Sequence, residues 1–471
     1  MKLLFCNKHA INQAPIVGVF VVLMVLLSGT AYQFLYYLHR AQTVELWASF
    51  VLLFAMYIFF TRFSIAQTYY YWLLFAAILF RVLSLVAMPN LSDDCYRFVW
   101  DGRLWISGIN PFLYLPVHFF DGTYTGKPIS GINQLLFEQL NSPRYFSVYP
   151  PVCQYLFAFA AKLSSGNLLI NIIWLKVFLL IFEIGNLALL HRFYTLNTIS
   201  RQNVLQYALC PLVIVELVGN IHFEAACIFF MLLGIYYWQK QKHTYSAVAL
   251  GLAVSIKLLP LISLPLLLRR LGFAQTLQYG SIVIGIFLLT FVPLLDNHLW
   301  QLLLSVGLYF HTFSFNAGVF YVVRWILNTL TGTDATALTG YGMGVTTLLC
   351  IFYYIFREKH TSPSAKTNLG SFMLGLLFVW SSYLSLATTV HPWYVAPLVA
   401  WSVFTPYRFP VLWSLLVVGS YAAYNNQSYT QNGYLIFVEY ALVWIYAMWE
   451  YKKNRAIPTN KMPYTNKVYG I

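Results

Sequence analysis

Apolar segments follow one another along almost the whole chain. The first three, Pro15–Leu38, Val44–Phe60 and Tyr69–Met88, each approach the length of about 20 residues that a helix needs to cross a bilayer. Later runs cover Leu168–Leu190, Val204–Val218, Phe223–Trp238, Tyr245–Ile256, Leu258–Leu268 and Ser281–Leu295. They resume at Met343–Phe356, Phe372–Thr388, Trp393–Phe404, Pro410–Tyr424 and Tyr434–Trp449. Tyr149-Pro150-Pro151 opens a shorter run to Leu163, read as re-entrant or interfacial. Ala317–Leu330 is read as either re-entrant or spanning. The runs are continuous rather than alternating, so helices and not barrel strands are the spanning element. Only 9% of the residues are charged, against about 25% in a soluble domain. The expectation is an all-α polytopic membrane protein forming one membrane-embedded domain over residues 1–471. No internal repeat, low-complexity segment or soluble domain interrupts it.

The net charge of +14 does not indicate a nucleic-acid partner. The basic residues lie in short clusters between apolar runs, as the positive-inside rule requires. His191-Arg192 to Arg201, Lys240 to His243, Arg269-Arg270, Arg357 to Lys366, Arg408 and the tail from Lys452 all fall on one side. This places both termini in the cytoplasm, with a tail over about 451–471. No secretory cleavage site follows the first run, which is read as a retained span. Two long loops, about 90–148 and about 296–316, then face outward, and an amphipathic stretch is expected near Ile129–Leu140. The six cysteines show no CxxC spacing and read mainly as small buried hydrophobes. Cys95 and Cys153 share a compartment in this topology, but nothing in the sequence supports a disulfide between them.

Against this background one stretch stands out: Ser92-Asp93-Asp94-Cys95-Tyr96-Arg97-Phe98-Val99-Trp100-Asp101-Gly102-Arg103, running on to Gly108-Ile109-Asn110-Pro111-Phe112. Three aspartates and two arginines fall within a dozen positions at a membrane boundary. In a helix starting near Ser92, Asp94, Arg97 and Asp101 share one face. Gly102, Gly108 and Asn110-Pro111 end it. Helix capping accounts for one or two of the acids, but not for Arg97, Asp101 and Arg103 together. An ionised Asp93 or Asp94 can take a proton from an attacking hydroxyl, and Arg97 is expected to hold it ionised.

Other polar groups converge on the same face: Tyr149, Asn220, His222, Glu224, Lys257 and His391. Ionisable residues beside spans are functional candidates by default. His222 and Glu224 are two apart and do not share a helix face, and HExxH is absent, so zinc is disfavoured. They are as well suited to sugar hydroxyls as to satisfying nearby backbone. Lys257 sits in an apolar stretch and calls for an anionic partner, phosphate being favoured over snorkelling to a helix end. Pro260 and Pro265 distort the chain beside it. His391-Pro392-Trp393-Tyr394 reads as an interfacial aromatic belt, or as part of a site through its histidine. The carboxylates leave room for a divalent cation, but no complete ligand set is visible. There is no Walker A loop and no GxGxxG after a strand, so if the chain is a transferase its activated donor is expected to be held in the membrane.

The Asp93–Arg103 stretch with Gly108–Phe112 resembles the first outer-loop signature of bacterial GT-C glycosyltransferases. It is closest to the branch of polyprenol-phosphate-mannose-dependent mannosyltransferases. The resemblance continues, in the family's order, at Tyr149-Pro150-Pro151, from Glu216 to Glu224, at Lys257-Leu258-Leu259-Pro260 and at His391-Pro392-Trp393-Tyr394. Cys95 and Phe112 stand where an aliphatic residue and a tyrosine are expected. The resemblance implies a GT-C fold of roughly 11–14 transmembrane helices with a catalytic first outer loop. It implies inverting transfer of a sugar, expected to be mannose, from a polyprenyl-phosphate donor to a glycan, lipid or protein acceptor. The setting it implies is the outer face of a bacterial inner membrane. Asp94 or Asp93 would be the base and Lys257 the contact to the lipid phosphate. Arg97, Asp101, Arg103, Asn110, Tyr149, Asn220, His222, Glu224, His391 and Tyr394 would shape or bind. The competing class is a transporter or lipid flippase, which should place its charges near the midplane on broken helices.

Overall fold

The structure is a computed structural model, and residues 8–295, 313–357, 369–424 and 429–455 are described. Among them every regular element is helical, and the only β-type pairing is an isolated bridge between Phe315 and Thr389. In chain order the first half comprises α1 (Lys8–Leu35), α2 (Thr43–Phe60), α3 (Phe63–Thr68), α4 (Tyr70–Val82), α5 (Asp94–Ile106), α6 (Gln134–Glu138), α7 (Pro151–Leu163) and α8 (Leu168–Thr195). There follow α9 (Arg201–Ala208), α10 (Pro211–Val213, continued by a π turn to Gly219), α11 (Glu224–Gln239) and α12 (His243–Val254). After a 3-10 helix (Leu259–Leu267) come α13 (Leu268–Leu271), α14 (Phe273–Phe291), α15 (Gly318–Thr331), α16 (Thr336–Arg357) and α17 (Leu369–Leu386). The last elements are a 3-10 turn (Pro392–Val395), α18 (Ala396–Ser402), α19 (Phe409–Leu416), a 3-10 stretch (Val417–Tyr424) and α20 (Gly433–Arg455).

Among the described residues six helices are long and apolar enough to cross a membrane alone, and α9 with α10 and its π turn forms a seventh candidate bent by 47°. Four shorter apolar helices of 10–17 residues lie among them, and reaching the expected 11–14 requires counting these too. Two of the apolar runs fall short of a full α-helical span for identifiable reasons. The run Tyr69–Met88 stays helical only to Val82. Beyond it, the carbonyls of Ser84 and Ala87 turn aside to accept from Lys176 Nζ at 2.7 Å each. The run Leu258–Leu268 is a 3-10 helix containing Pro260 and Pro265, whose missing N–H groups prevent a regular α ladder. The amphipathic stretch expected at Ile129–Leu140 is helical only over Gln134–Glu138. The second expected outer loop, 296–316, lies outside the described residues up to 312, as does the tail after 455.

The helix ends sort into two groups. At one end, Gln202 bonds the carbonyl of Thr61, Asn203 that of Val403, and Arg269 that of Phe356. At the other, Asn90 bonds the carbonyls of Leu35 and Leu38, Val152 N meets Ser255 O at 3.0 Å, and Tyr155 bonds the carbonyl of Thr290. Helix α5 belongs to this second end, packed along α7. Gly102 permits the approach, since a Cβ there would lie 2.3 Å from the carbonyl oxygen of Phe157. The described cysteines are free thiols, with Cys95 and Cys153 both buried.

Candidate active site

Helix α5 starts at Asp94 with Asp93 in the N-cap position, and its three aspartates meet three different environments. Asp101 is fully buried. It accepts from Arg97 Nε at 2.8 Å, from Gln154 Nε2 at 3.0 Å and from the Ser147 hydroxyl. Arg97 also donates to the carbonyl of Tyr145 at 2.9 Å. Arg97 is therefore bound to Asp101 and to the loop backbone, not to Asp94 as expected. The i,i+4 spacing toward Asp101 won over the i,i+3 spacing toward Asp94. Arg103 donates to the carbonyls of Gly131 (2.5 Å) and Gly166 (2.8 Å). The second half of the motif thus ties the loop 107–150 to the helices beneath it.

Asp93 pairs with Arg40, at 2.5 Å, from the turn between α1 and α2. The Arg40 guanidinium also lies over the Tyr424 ring, 4.3 Å from its centroid. Asp94 has a neutral partner instead, the Asn141 amide, whose Nδ2 donates at 2.8 Å. Its carboxyl is half-buried at the mouth of the site. Burial raises its pKa above the ordinary aspartate value, and the neighbouring Asp93 and Glu224 carboxylates add to this. The Asn141 hydrogen bond and the Lys257 ammonium oppose it.

Across from α5 stands a second ionic pair. Lys257, just past α12, bonds Glu224 at the first turn of α11, and its ammonium lies 3.6 Å from the centroid of the Tyr394 ring. Beside it the rings of His222, Trp393 and His391 form a stack. Centroids are 3.6 Å apart for His222 and Trp393, and 4.4 Å for Trp393 and His391. Phe315 follows at 4.7 Å from His391. Burial, with the Lys257 charge nearby, pushes the His391 pKa down to about 3, so its ring is neutral at physiological pH. His222 Nε2 is 3.3 Å from one carboxylate oxygen of Glu216, whose other oxygen accepts from the Tyr421 hydroxyl at 2.6 Å.

The turn that delivers His222 is strained. Ile221 is buried with φ +61°, a conformation that a β-branched side chain rarely adopts and that costs on the order of 1–3 kcal/mol. Asn220 before it accepts from the backbone N–H groups of Asn90 (3.1 Å) and Leu91 (2.9 Å). It anchors the chain entering the aspartate motif rather than facing the site. Asn110 closes a turn onto Phe112 N and donates to the carbonyl of Leu294 at 2.9 Å. Tyr149 packs edge-on against Phe98, 4.8 Å between centroids.

Asp93, Asp94, His222, Glu224, Lys257, His391 and Tyr394 thus gather at one end of the bundle. Arg97, Asp101, Arg103, Asn110 and Asn220 hold its framework. Arg40, Asn141 and Tyr424 were not singled out from the sequence. Arg40 resembled any basic residue flanking a span, and its partner Asp93 is 53 positions away. Among the described residues no group of three or more His, Cys, Asp and Glu side chains is placed to hold a metal ion.

Comparison with known proteins adds an independent line. No curated protein matches the chain. Residues 12–271 match the sequence model of the MptA_B family, described as alpha-(1->6)-mannopyranosyltransferase, N-terminal domain. The matched segment spans more than half of the chain and carries the aspartate motif, Arg40, Glu224 and Lys257. The chain accordingly belongs to the MptA_B family of membrane mannosyltransferases.

Proposed function

We propose that this mannosyltransferase takes mannose from a polyprenyl-phosphate donor and transfers it, with inversion, to a hydroxyl of a glycan, lipid or protein acceptor. Asp94 is the base, and the reaction takes place at the outer face of a bacterial inner membrane. The observation that carries the assignment of the base is the contrast within α5. Asp93 is held by Arg40 and Asp101 by Arg97, whereas among the described residues the Asp94 carboxylate has only the neutral Asn141 amide as hydrogen-bond partner. A carboxylate without a bound cation, with its pKa raised by burial, is the better proton acceptor.

In this reading the acceptor oxygen attacks the anomeric carbon while its proton passes to Asp94. The bond from that carbon to the phosphate oxygen breaks, and its electron pair leaves on the phosphate. Lys257, oriented by Glu224 and Tyr394, faces the charge that develops there. The basic clusters at the opposite helix ends support the outward location.

The test is transfer by the purified protein from radiolabelled polyprenyl-phosphate mannose to a panel of lipid and glycan acceptors. Labelled product supports the reading. Movement of the intact donor across a liposome bilayer without transfer to any acceptor would replace it with the transporter reading.

A further inference from the structure

Two cations of the site are held in the same way. Lys257 rests on a carboxylate, Glu224, and on a ring, Tyr394. Arg40 rests on a carboxylate, Asp93, and on a ring, Tyr424. The two rings lie on 3-10 segments that pack together, Pro392–Val395 and Val417–Tyr424. The two carboxylates lie close enough to Asp94 to bias its charge. The arrangement therefore brackets the proposed base from both sides.

Arg40 has capacity left over. A guanidinium carries five N–H donors, and among the described residues the only hydrogen bond given to Arg40 is Nη2 to Asp93. Its side chain remains 20% exposed. Buried Arg81 differs, since three of its nitrogens are engaged by Glu183 and by the carbonyls of Ala77 and Ala208. Among the described residues nothing in the packing uses the remaining donors of Arg40.

We infer that Arg40 is a second phosphate-binding side chain, selective for the dianionic phosphate monoester that departs over the monoanionic diester that arrives. This rests on the proposed lipid-phosphate donor. When the proton of the acceptor neutralises Asp94, one negative charge leaves that carboxylate and one appears on the phosphate. The total charge of the site is unchanged, and the new charge forms where Lys257 is already engaged. A planar guanidinium can keep Asp93 on one edge and give a second edge to phosphate oxygens. No displacement of Asp93 is required.

The experiment uses the purified full chain and two probes, farnesyl phosphate (a dianionic monoester) and its methyl ester (a monoanionic diester), in binding titrations at pH 8. Arg40→Gln is expected to weaken the monoester by about tenfold or more, the scale of one hydrogen bond to a charged group. The diester should weaken by less than about threefold, on the same scale. Lys257→Met should weaken both. Phenylglyoxal modification of Arg40 in the unaltered protein, read by mass spectrometry, keeps the test independent of whether the variant folds. Saturating monoester should slow it. Unchanged monoester affinity in Arg40→Gln, or unprotected Arg40, overturns the inference while leaving the transferase reading intact if Lys257→Met still loses both probes. Failure of the unaltered protein to bind either probe overturns both.

Discussion

Two ionic clusters among the described residues, one around Arg81 and Glu183 and one at the start of α5, differ in how fully they are satisfied. Arg81 and Glu183 are both inaccessible to solvent. Arg81 is bonded to Glu183 and to two carbonyls, and Glu183 also accepts from Tyr207 at 2.6 Å and Asn186 at 2.7 Å. The cluster at the α5 end is open: Arg40, Lys257 and Asp93 retain 20%, 28% and 35% of their side-chain exposure. A buried charge among apolar helices is costly and survives only when its partners are complete. Completeness therefore marks Arg81–Glu183 as a fastener between α4 and α8. Unused hydrogen-bond capacity sets the α5 end apart, and it is there that the proposed reading puts the substrate.

The largest effect on folding is expected from breaking the closed cluster. Arg81→Met leaves Glu183 buried without a cation and should cost on the order of 3–5 kcal/mol, seen as a lower unfolding temperature in detergent. Turnover per folded molecule should stay near normal. A stable but inactive Arg81→Met protein would erase the distinction between the two clusters. Within α5, Asp101→Asn keeps the shape but weakens the bond to Arg97, and should cost on the order of 2 kcal/mol by the same unfolding measurement.

At the open cluster, pH sharpens the contrast. In the proposed role Asp94 must be ionised, and burial holds its pKa above that of an ordinary aspartate. The rate should therefore fall as pH drops through that raised value and level off above it. Asn141→Ala removes the hydrogen bond that favours the carboxylate, so the acid limb of kcat/KM should move to higher pH. A limb that moves down, or does not move, removes Asp94 from the role. The smallest effect is expected from Asp121, which lies on the exposed loop surface with its carboxylate accepting from Thr123 of its own turn. Asp121→Ala should change the transfer rate by less than about twofold, as surface positions usually do.

Much of this was legible in the sequence because hydrophobic length and charge position are local properties. The long spans follow the apolar runs closely: α2 matches Val44–Phe60 to within a residue at its start, and α17 covers most of Phe372–Thr388. The end of α4 was not legible, because it depends on Lys176 reaching back across 89–92 positions to two carbonyls. The same distinction holds at the site. Asp93, Asp94, Lys257 and His391 were visible as charged or titratable groups at span ends. Which aspartate is paired was not visible, because Arg40 and Asn141 reach α5 only through the fold. Arg97 and Arg103 serve the framework: Arg97 is taken by Asp101 one turn on, and the bonds of Arg103 run to loop carbonyls, which no side-chain pattern encodes.

The central claim is that Asp94, and not its neighbour, accepts the proton. It is tested most directly by comparing Asp94→Asn and Asp93→Asn for mannose transfer from a polyprenyl-phosphate donor, with unfolding temperatures measured alongside. The account predicts that Asp94→Asn lowers the rate by roughly 10²–10⁴, the usual contribution of a general base, with the fold intact. Asp93→Asn should lower it by about tenfold through Arg40 alone. Near-normal transfer by a folded Asp94→Asn protein, or a larger loss in Asp93→Asn, would contradict it.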